Sequence, residues 1–335
     1  MSLPDDYRDA PADDLADVPA ERRCWTVGTG DHGQRLDKLV AQHAPEFSRS
    51  HLQGLIERGH VQLDATVCGQ PSRRVRAGQR VDVELVPTAE ALAFRPQAMP
   101  LAIVFEDDEL LVIDKPAGLV VHPGAGNWSG TLLNGLLARH RAAAQLPRAG
   151  IVHRLDKGTT GLMVVGKTLP AVTELVRAIA AREVRREYVA LVHGEPRWEH
   201  QVFEAPIGRD PGARLRMAVR ASGKPARTDV RRVGAGQGCA ALVCRLHTGR
   251  THQIRVHLSH AGHPLVGDEL YGGRPALGLQ RPALHARRLG LRHPATGLPL
   301  EFEAPMPADL AQAWRLVADP SGGGPSAEVG IEPRP

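Results

Sequence analysis

Aromatic residues are scarce in this chain: five Phe, four Trp and three Tyr make up 4% of its 335 residues. A broad platform stacking several bases is thereby excluded, and any base contact falls to one or two side chains. Cysteines are few as well. Cys24, Cys68, Cys239 and Cys244 form no CxxC pair. That spacing fits neither a zinc knuckle nor a redox dithiol, and the four read as free thiols in a reducing compartment. Long apolar runs are missing, with nothing near the roughly 18 residues that a membrane helix requires. Residues 1–21 have neither a basic n-region nor an apolar core, so no secretory signal is read there. A cytoplasmic protein without membrane contact is expected.

What is present is an ordinary globular balance, 42% hydrophobic and 24% charged, with length enough for about two domains. The charge is uneven. The chain carries +5 overall and −6 over residues 1–21, so residues 22–335 carry +11. A basic body suits a polyanionic partner, of which nucleic acid is the commonest. An arginine-rich chain also arises from genomic base composition, so charge alone decides nothing.

Residues 1–23, acidic and rich in Pro, Ala and Asp, read as disordered, as does the Gly- and Pro-rich tail 319–335. Two bodies lie between them. Over 24–87, Leu36, Leu39 and Val40 repeat at helical spacing. Ser48 or Ser50 offers the N-cap of a second helix, Leu52, Leu55 and Ile56 its buried stripe, and Gly59 its stop. Alternation in HVQLDATV and GQRVDVELV then predicts strands. Residues 88–99 read as a linker. The body 100–318 consists of short alternating runs broken by Gly and Pro, with helices over 130–144 and 169–182. The expected class is α+β: a small helix–helix–strand module, then a mixed, mostly antiparallel sheet.

Three segments carry candidate chemistry. In Gly150–Lys167, apolar strands flank the polar loop HRLDKGTTG. A loop held at both ends by core strands is where a rigid fold places reactive groups. Asp156 stands there between Arg154 and Lys157, and neighbouring cations favour an ionised carboxylate, as a nucleophile or base needs. Composition alone favours a plainer role, an Asx-turn capped by Thr159 and Thr160. The second segment, Leu246–Leu258, alternates basic and apolar residues. Read as a strand, it puts Gln253, Arg255 and His257 on one face and aims Arg255 at a carboxylate or phosphate. His252 and His257, five apart, do not share a face in either periodicity, which argues against a metal site. The third segment, Arg182–Val192, places Tyr188 at a strand start behind a basic run, positioned to stack on a base or simply to fill the core. In the small module, Arg35, Lys38, Arg49, Arg58, Arg73, Arg74 and Arg76 could line a phosphate-binding face or a solvated one.

HRLDKGTTGL resembles the catalytic motif HRLDxxT[ST]G of the RluA-type pseudouridine synthases. LLVIDKPAGLVVHPGAG precedes it, and EYVALV, HTGRTHQIRVHL, GHPLVGDELYGG and ALHARRLGLRHP follow in the family's order. RLDKLVA, SRSHLQGLIERGHVQLD and GQRVDVEL are similar to an S4 RNA-binding domain. The resemblance spans about residues 33–315. It implies Asp156 as the catalytic aspartate, Arg255 as its partner and Tyr188 as the residue stacked on the target uracil. It implies Arg154 as a hold on the substrate strand, Leu284 as pocket lining and Lys115, of the Lys-Pro motif, as structural support near the substrate. Among the basic residues of the S4-like module, Arg35, Arg49 and Arg74 are the expected RNA contacts. Two positions depart from the pattern: Gly158, where an acidic residue is frequent, and Pro282, which replaces a polar one.

The implied reaction breaks the N1–C1′ bond of uridine and joins C5 to C1′. It involves no redox change and no group transfer, so neither cofactor nor metal is expected. The implied partner is ribosomal RNA of the large subunit or its assembly intermediate, at the helix 69 stem-loop; a monomer is the default expectation. A sister enzyme acting on other ribosomal sites or on tRNA, and an assembly factor whose binding outweighs its catalysis, are the competing readings. A metal-dependent nuclease fails for want of a carboxylate cluster.

Overall fold

The computed structural model describes residues 21–86, 93–124, 126–213 and 215–318. The disorder expected of residues 1–20 and 319–335, and residues 88–92 of the expected linker, lie outside the described residues. Two compact units divide the chain: residues up to Arg95 with Pro123–Ser129, and Pro96–His122 with the chain from Gly130 onward. No helix among the described residues is long and apolar enough to cross a membrane.

The N-terminal unit runs β1 (Glu21–Thr26), α1 (Leu36–His43), α2 (Arg49–Glu57), β2 (Val61–Leu63), β3 (Thr66–Val67) and β4 (Arg80–Leu85). Its antiparallel sheet has the order β1-β4-β2-β3. The expected stripes bury as read: Leu36, Leu39 and Val40 of α1 and Leu52, Leu55 and Ile56 of α2 are sealed against Val61, Val81 and Val83. Ser48 caps α2, its Oγ accepting the His51 N–H at 3.3 Å. Gly59, just past α2, takes the left-handed φ of +84°. One boundary needs correction. Glu21, Arg22 and Arg23, expected in the disordered leader, belong to β1, paired from Glu21↔Leu85 to Thr26↔Arg80. No residue of this edge strand is fully buried; backbone pairing and the packing of Trp25 hold it, and no apolar alternation announced it.

The second unit runs β5 (Ala102–Glu106), β6 (Leu110–Lys115), α3 (Leu132–Arg139), β7 (Thr160–Gly166), α4 (Leu169–Ala180), β8 (Arg185–His193), β9 (His200–Glu204), β10 (Ile207–Arg209), β11 (Met217–Val219), β12 (Arg227–Gly236), β13 (Cys239–Leu246), α5 (Gln253–His260), β14 (Leu284–Arg292), β15 (Pro299–Glu303) and α6 (Ala308–Ala318). Nine of its strands form one sheet, ordered β5-β6-β7-β14-β8-β13-β12-β9 with β15 on β14. β7 and β14 pair parallel, and the other pairings are antiparallel, as the α+β expectation required. β10 and β11 form a separate hairpin.

Both faces of the sheet are covered. Along β7, Met163 and Val165 face one apolar cluster with α3 and α5, whereas Leu162 and Val164 face another with α4. α6 packs Leu310, Ala313 and Val317 against Val189 and Leu191 of β8. Every residue of β7 is buried. Gly161 has φ +110°, and a Cβ there would stand 2.3 Å from the Ala286 carbonyl oxygen, so only glycine permits the close parallel approach of β7 to β14. That pairing positions the loop just before β7, which carries Asp156.

The segment from His252 is the larger correction. It is not a strand but the helix α5, entered through His252 in the left-handed conformation, φ +56°. Gln253 to Leu258 are all buried. A short helix buried all round shows no amphipathic stripe. Its alternating polar residues are sunk, each with partners. Gln253 Nε2 donates to the Thr228 hydroxyl and the Arg227 carbonyl, both at 2.9 Å. His257 lies between the Thr228 hydroxyl, at 2.9 Å, and the Ala205 carbonyl, at 3.0 Å. Cys68, Cys239 and Cys244 are buried free thiols, and Cys24 is exposed on β1.

Candidate active site

The site is assembled from the loop before β7 and from α5. Leu155 and Ile254, each one residue ahead of an ionic neighbour, sit in the same apolar cluster. Anchoring those two residues aims Asp156 and Arg255 at each other. Arg255 Nη1 donates to Asp156 Oδ2 at 3.2 Å, across 99 residues of sequence. The guanidinium has a stronger attachment. Its Nε and Nη2 donate to both oxygens of Asp268, at 2.7 and 2.8 Å, a bidentate pair in which Asp268 is 1% exposed. The Arg255 guanidinium also lies 4.9 Å from the centroid of the Tyr271 ring. Arg255 is thus fixed before it meets Asp156, and its Nη1 edge remains for the loop that carries Asp156.

A hydrogen-bonded pair, Tyr271 and His252, stands near the other carboxylate oxygen. The Tyr271 hydroxyl accepts the Met217 N–H at 2.9 Å and lies 2.8 Å from His252 Nδ1. The arrangement that uses each donor once gives the phenol proton to Nδ1, leaving Nε2–H toward Asp156 Oδ1 at 3.8 Å. Burial lowers the His252 pKa and favours this neutral ring, against the opposing charge of Asp156.

Beneath, the loop is tied by its own carbonyls. Lys115 is fully buried, and its ammonium donates to the carbonyls of Pro116, Leu119 and Lys157 at 2.8, 2.9 and 3.3 Å. Burial pushes its pKa down to about 8, opposed by the Asp156 charge. The Gly118 N–H donates to the Lys157 carbonyl at 2.8 Å, and Arg281 Nη1 to the Gly158 carbonyl at 3.2 Å. Arg281 is braced by Asp309 of α6 at 2.9 and 2.8 Å. The result is a carboxylate held rigidly, with one firm hydrogen bond and 15% of its side chain exposed.

A family model described as RNA pseudouridylate synthase matches residues 109–260, and an S4 domain model matches residues 34–81. A protein of Nitrosomonas europaea named ribosomal large subunit pseudouridine synthase D is 50% identical over 302 residues, 87% of this chain and 87% of its own. The chain belongs to the RNA pseudouridylate synthase family. It is an isomerase of that family with an N-terminal S4 domain. An Escherichia coli K12 protein of the same name is 46% identical over 300 residues, 86% of this chain and 91% of its own. The solved structure of human RNA pseudouridylate synthase domain containing 4 superposes with a TM-score of 0.50 at 24% identity, over 68% of this chain and 94% of that one, which bears on the fold alone.

Of the residues expected in the synthase site, the structure brings Asp156 and Arg255 together. Tyr188 and Leu284 lie in the apolar cluster that also holds Leu155 and Ile254, 5% and 4% exposed. Burial pushes the Tyr188 hydroxyl up to about 12. Arg154 is exposed and has no hydrogen-bond or ion-pair partner among the described residues. Its charge is felt by His252 and His122. Lys115, expected near the substrate, needs correction: its ammonium is spent under the loop on three carbonyls, the support that a Lys-Pro motif implied. In the S4 unit, Arg35 and Arg49 both bind the buried Asp37, and Arg74 Nη1 donates to the Gly33 carbonyl at 2.7 Å.

His252, Asp268 and Tyr271 were not singled out as functional from the sequence. Asp268 and Tyr271 stood in GHPLVGDELYGG, a segment bounded by glycines. The one available signal was chemical, since a buried arginine serving one carboxylate needs a second anion to hold it.

Proposed function

We propose that this synthase isomerises uridine to pseudouridine in large-subunit ribosomal RNA, at the helix 69 stem-loop, with Asp156 as the catalytic residue. The observation that carries the reading is the Asp156–Arg255–Asp268 array: a partly exposed carboxylate with open lone pairs, oriented by an arginine that a bidentate pair with Asp268 already fixes. The names of the relatives support the large subunit as the source of substrate, and the S4 domain supports an RNA partner. The helix 69 target rests on the motif pattern of the chain.

The target nucleotide leaves its stack, which is least costly for an unpaired loop nucleotide. Tyr188 and Leu284 receive the base, and Arg154, exposed and without a partner among the described residues, holds the displaced strand. The N1–C1′ bond breaks, the uracil turns, and C5 bonds to C1′. C5 then loses its proton and N1 gains one, so the product is an isomer. Asp156 serves at the ribose either by attacking C1′ or by taking a ribose proton to give a glycal, and both routes need the ionised carboxylate.

Carbodiimide primer-extension mapping of unmodified large-subunit rRNA, treated with wild type and with Asp156→Asn, tests this. New stops in the helix 69 loop are expected with wild type alone. The single-turnover rate of Asp156→Asn should fall on the order of 10³-fold or more, with RNA affinity nearly unchanged because phosphate contacts dominate binding. Equal turnover by mutant and wild type would sink the catalytic assignment. Stops elsewhere would change the target, and RNA binding with no stops would favour an assembly factor.

A further inference from the structure

Arg186 is a buried cation without a partner among the described residues. It lies on β8, 5% exposed, and among the described residues its guanidinium makes no hydrogen bond or ion pair. Its Nε is a buried donor without an acceptor. Arg255 shows the contrast, with Nε, Nη1 and Nη2 all committed to two carboxylates. A second donor is in the same state. His153 Nε2 accepts the Val164 N–H at 3.0 Å, so the ring proton is on Nδ1, and that atom too is buried with no partner. Burial, and then the charge of Arg186, push this ring down to about 3 and keep it neutral.

The position is adjacent to the pocket. Arg186 and Tyr188, two apart on β8, share the face of the sheet that bears the cluster of Leu155 and Leu284. The charges of both Arg186 and Asp156 act on the Tyr188 hydroxyl. The guanidinium also reaches the surface. A Cβ built on Gly249 would stand 3.0 Å from Arg186 Nη1, and Gly249 is exposed. A buried guanidinium without a counter-ion is a standing cost, and a fold that keeps one next to its pocket leaves room for an anion to arrive.

We propose that Arg186, with the Nδ1–H of His153 as a second donor, binds a backbone phosphodiester of the RNA next to the target nucleotide. The inference rests on the reading of RNA as substrate. A phosphodiester fits better than a base oxygen because its charge is permanent, as the guanidinium's is, and because the opening at Gly249 faces solvent. Arg186 is then the buried, geometrically fixed phosphate contact of the site, complementing the exposed Arg154.

The test uses the full-length protein and an in vitro transcribed helix 69 stem-loop, with affinity measured by filter binding over a series of salt concentrations. Arg186→Gln should weaken binding roughly tenfold at low salt and flatten the dependence of log Kd on log salt by about 0.7–0.9. Arg186→Lys should restore most of the slope. Gly249→Ala, at an exposed position, presses on the guanidinium and should weaken binding in the same direction by a smaller factor. Thermal melts check folding, and if Arg186→Gln does not fold, Gly249→Ala decides. Wild-type affinity and slope in the folded variant overturn the proposal. Unchanged slope with slower isomerisation at saturating RNA also overturns it, by moving the anion to the base. A wild-type protein that binds this RNA with a steep salt slope, loses that slope with Arg186→Gln, and leaves every uridine unmodified would sink the synthase reading while upholding the phosphate contact.

Discussion

Asp37 in the S4 unit and Asp156 in the catalytic unit both sit among arginines, and their surroundings differ in one respect. Asp37 is fully buried and accepts from Arg35 Nε and Nη2 at 3.0 and 3.1 Å, Arg49 Nη2 at 2.8 Å and Gln53 Nε2 at 2.7 Å. Its lone pairs are used up. The Arg35 hydrogen bonds above all hold its carboxyl well below the usual carboxylate range. Asp156 has one N–H at 3.2 Å and a neutral imidazole at 3.8 Å, too far for a hydrogen bond. A saturated carboxylate is a girder that pins two helices and orients two cations. An unsaturated one, held just as rigidly, keeps lone pairs for a substrate. Residue type does not distinguish the two; the count of donors does.

The comparison breaks most visibly at Asp268. Asp268→Asn leaves Arg255 with half its anchor and frees it to close fully on Asp156. The single-turnover rate should fall on the order of 10²-fold, while filter-binding affinity for RNA stays within about twofold. A rate equal to wild type would mean that Arg255 needs no anchor. A smaller effect is expected at the saturated carboxylate itself. Asp37→Asn should lower stability by about 1–3 kcal/mol, because its arginines are half exposed and recover solvent while the buried amide satisfies fewer donors. The urea midpoint reads this. The pH dependence has a definite sign. A carboxyl whose folded pKa is depressed stabilises the fold above its unfolded pKa of about 3.9 and loses that contribution as pH falls below it. Wild type should therefore lose stability between about pH 4 and pH 2 more steeply than Asp37→Asn. Parallel acid curves would show that Asp37 contributes nothing.

The smallest effect sharpens the account of the catalytic loop. The two departures from the family pattern meet in space: a Cβ at Gly158 would lie 3.0 Å from Pro282 Cδ. Gly158→Ala should cost about 1 kcal/mol by overpacking, and Pro282→Ala in the same chain should recover it. Coupling in a double-mutant cycle of urea midpoints is the check, and strict additivity would show the two positions to be independent.

Much of this was readable residue by residue. The helices of the S4 unit followed from Leu36, Leu39 and Val40 and from the Ser48 cap, because a surface helix buries one stripe and needs one end satisfied. Asp156 stood out as a polar residue inside a loop clamped by apolar strands. The strand misread at Arg255 has a specific cause. In α5 the polar side chains are buried against Thr228, Ala205 and Asp268, and periodicity reports burial only where polar means exposed. Lys115 supports the loop, as the Lys-Pro motif implied, but nothing in the sequence says that its ammonium is sealed on three carbonyls rather than open to a substrate.

The sequence by itself determined the family, the order of the two bodies and the carboxylate proposed here as catalytic. Those are local matters: a motif, a cap, an alternation. Tertiary structure alone decided what surrounds that carboxylate. Asp268 anchors Arg255 from thirteen residues away and Asp156 meets it from ninety-nine. Which arginine finds an anion, and which, like Arg186, finds none among the described residues, depends on long-range packing that no spacing along the chain records.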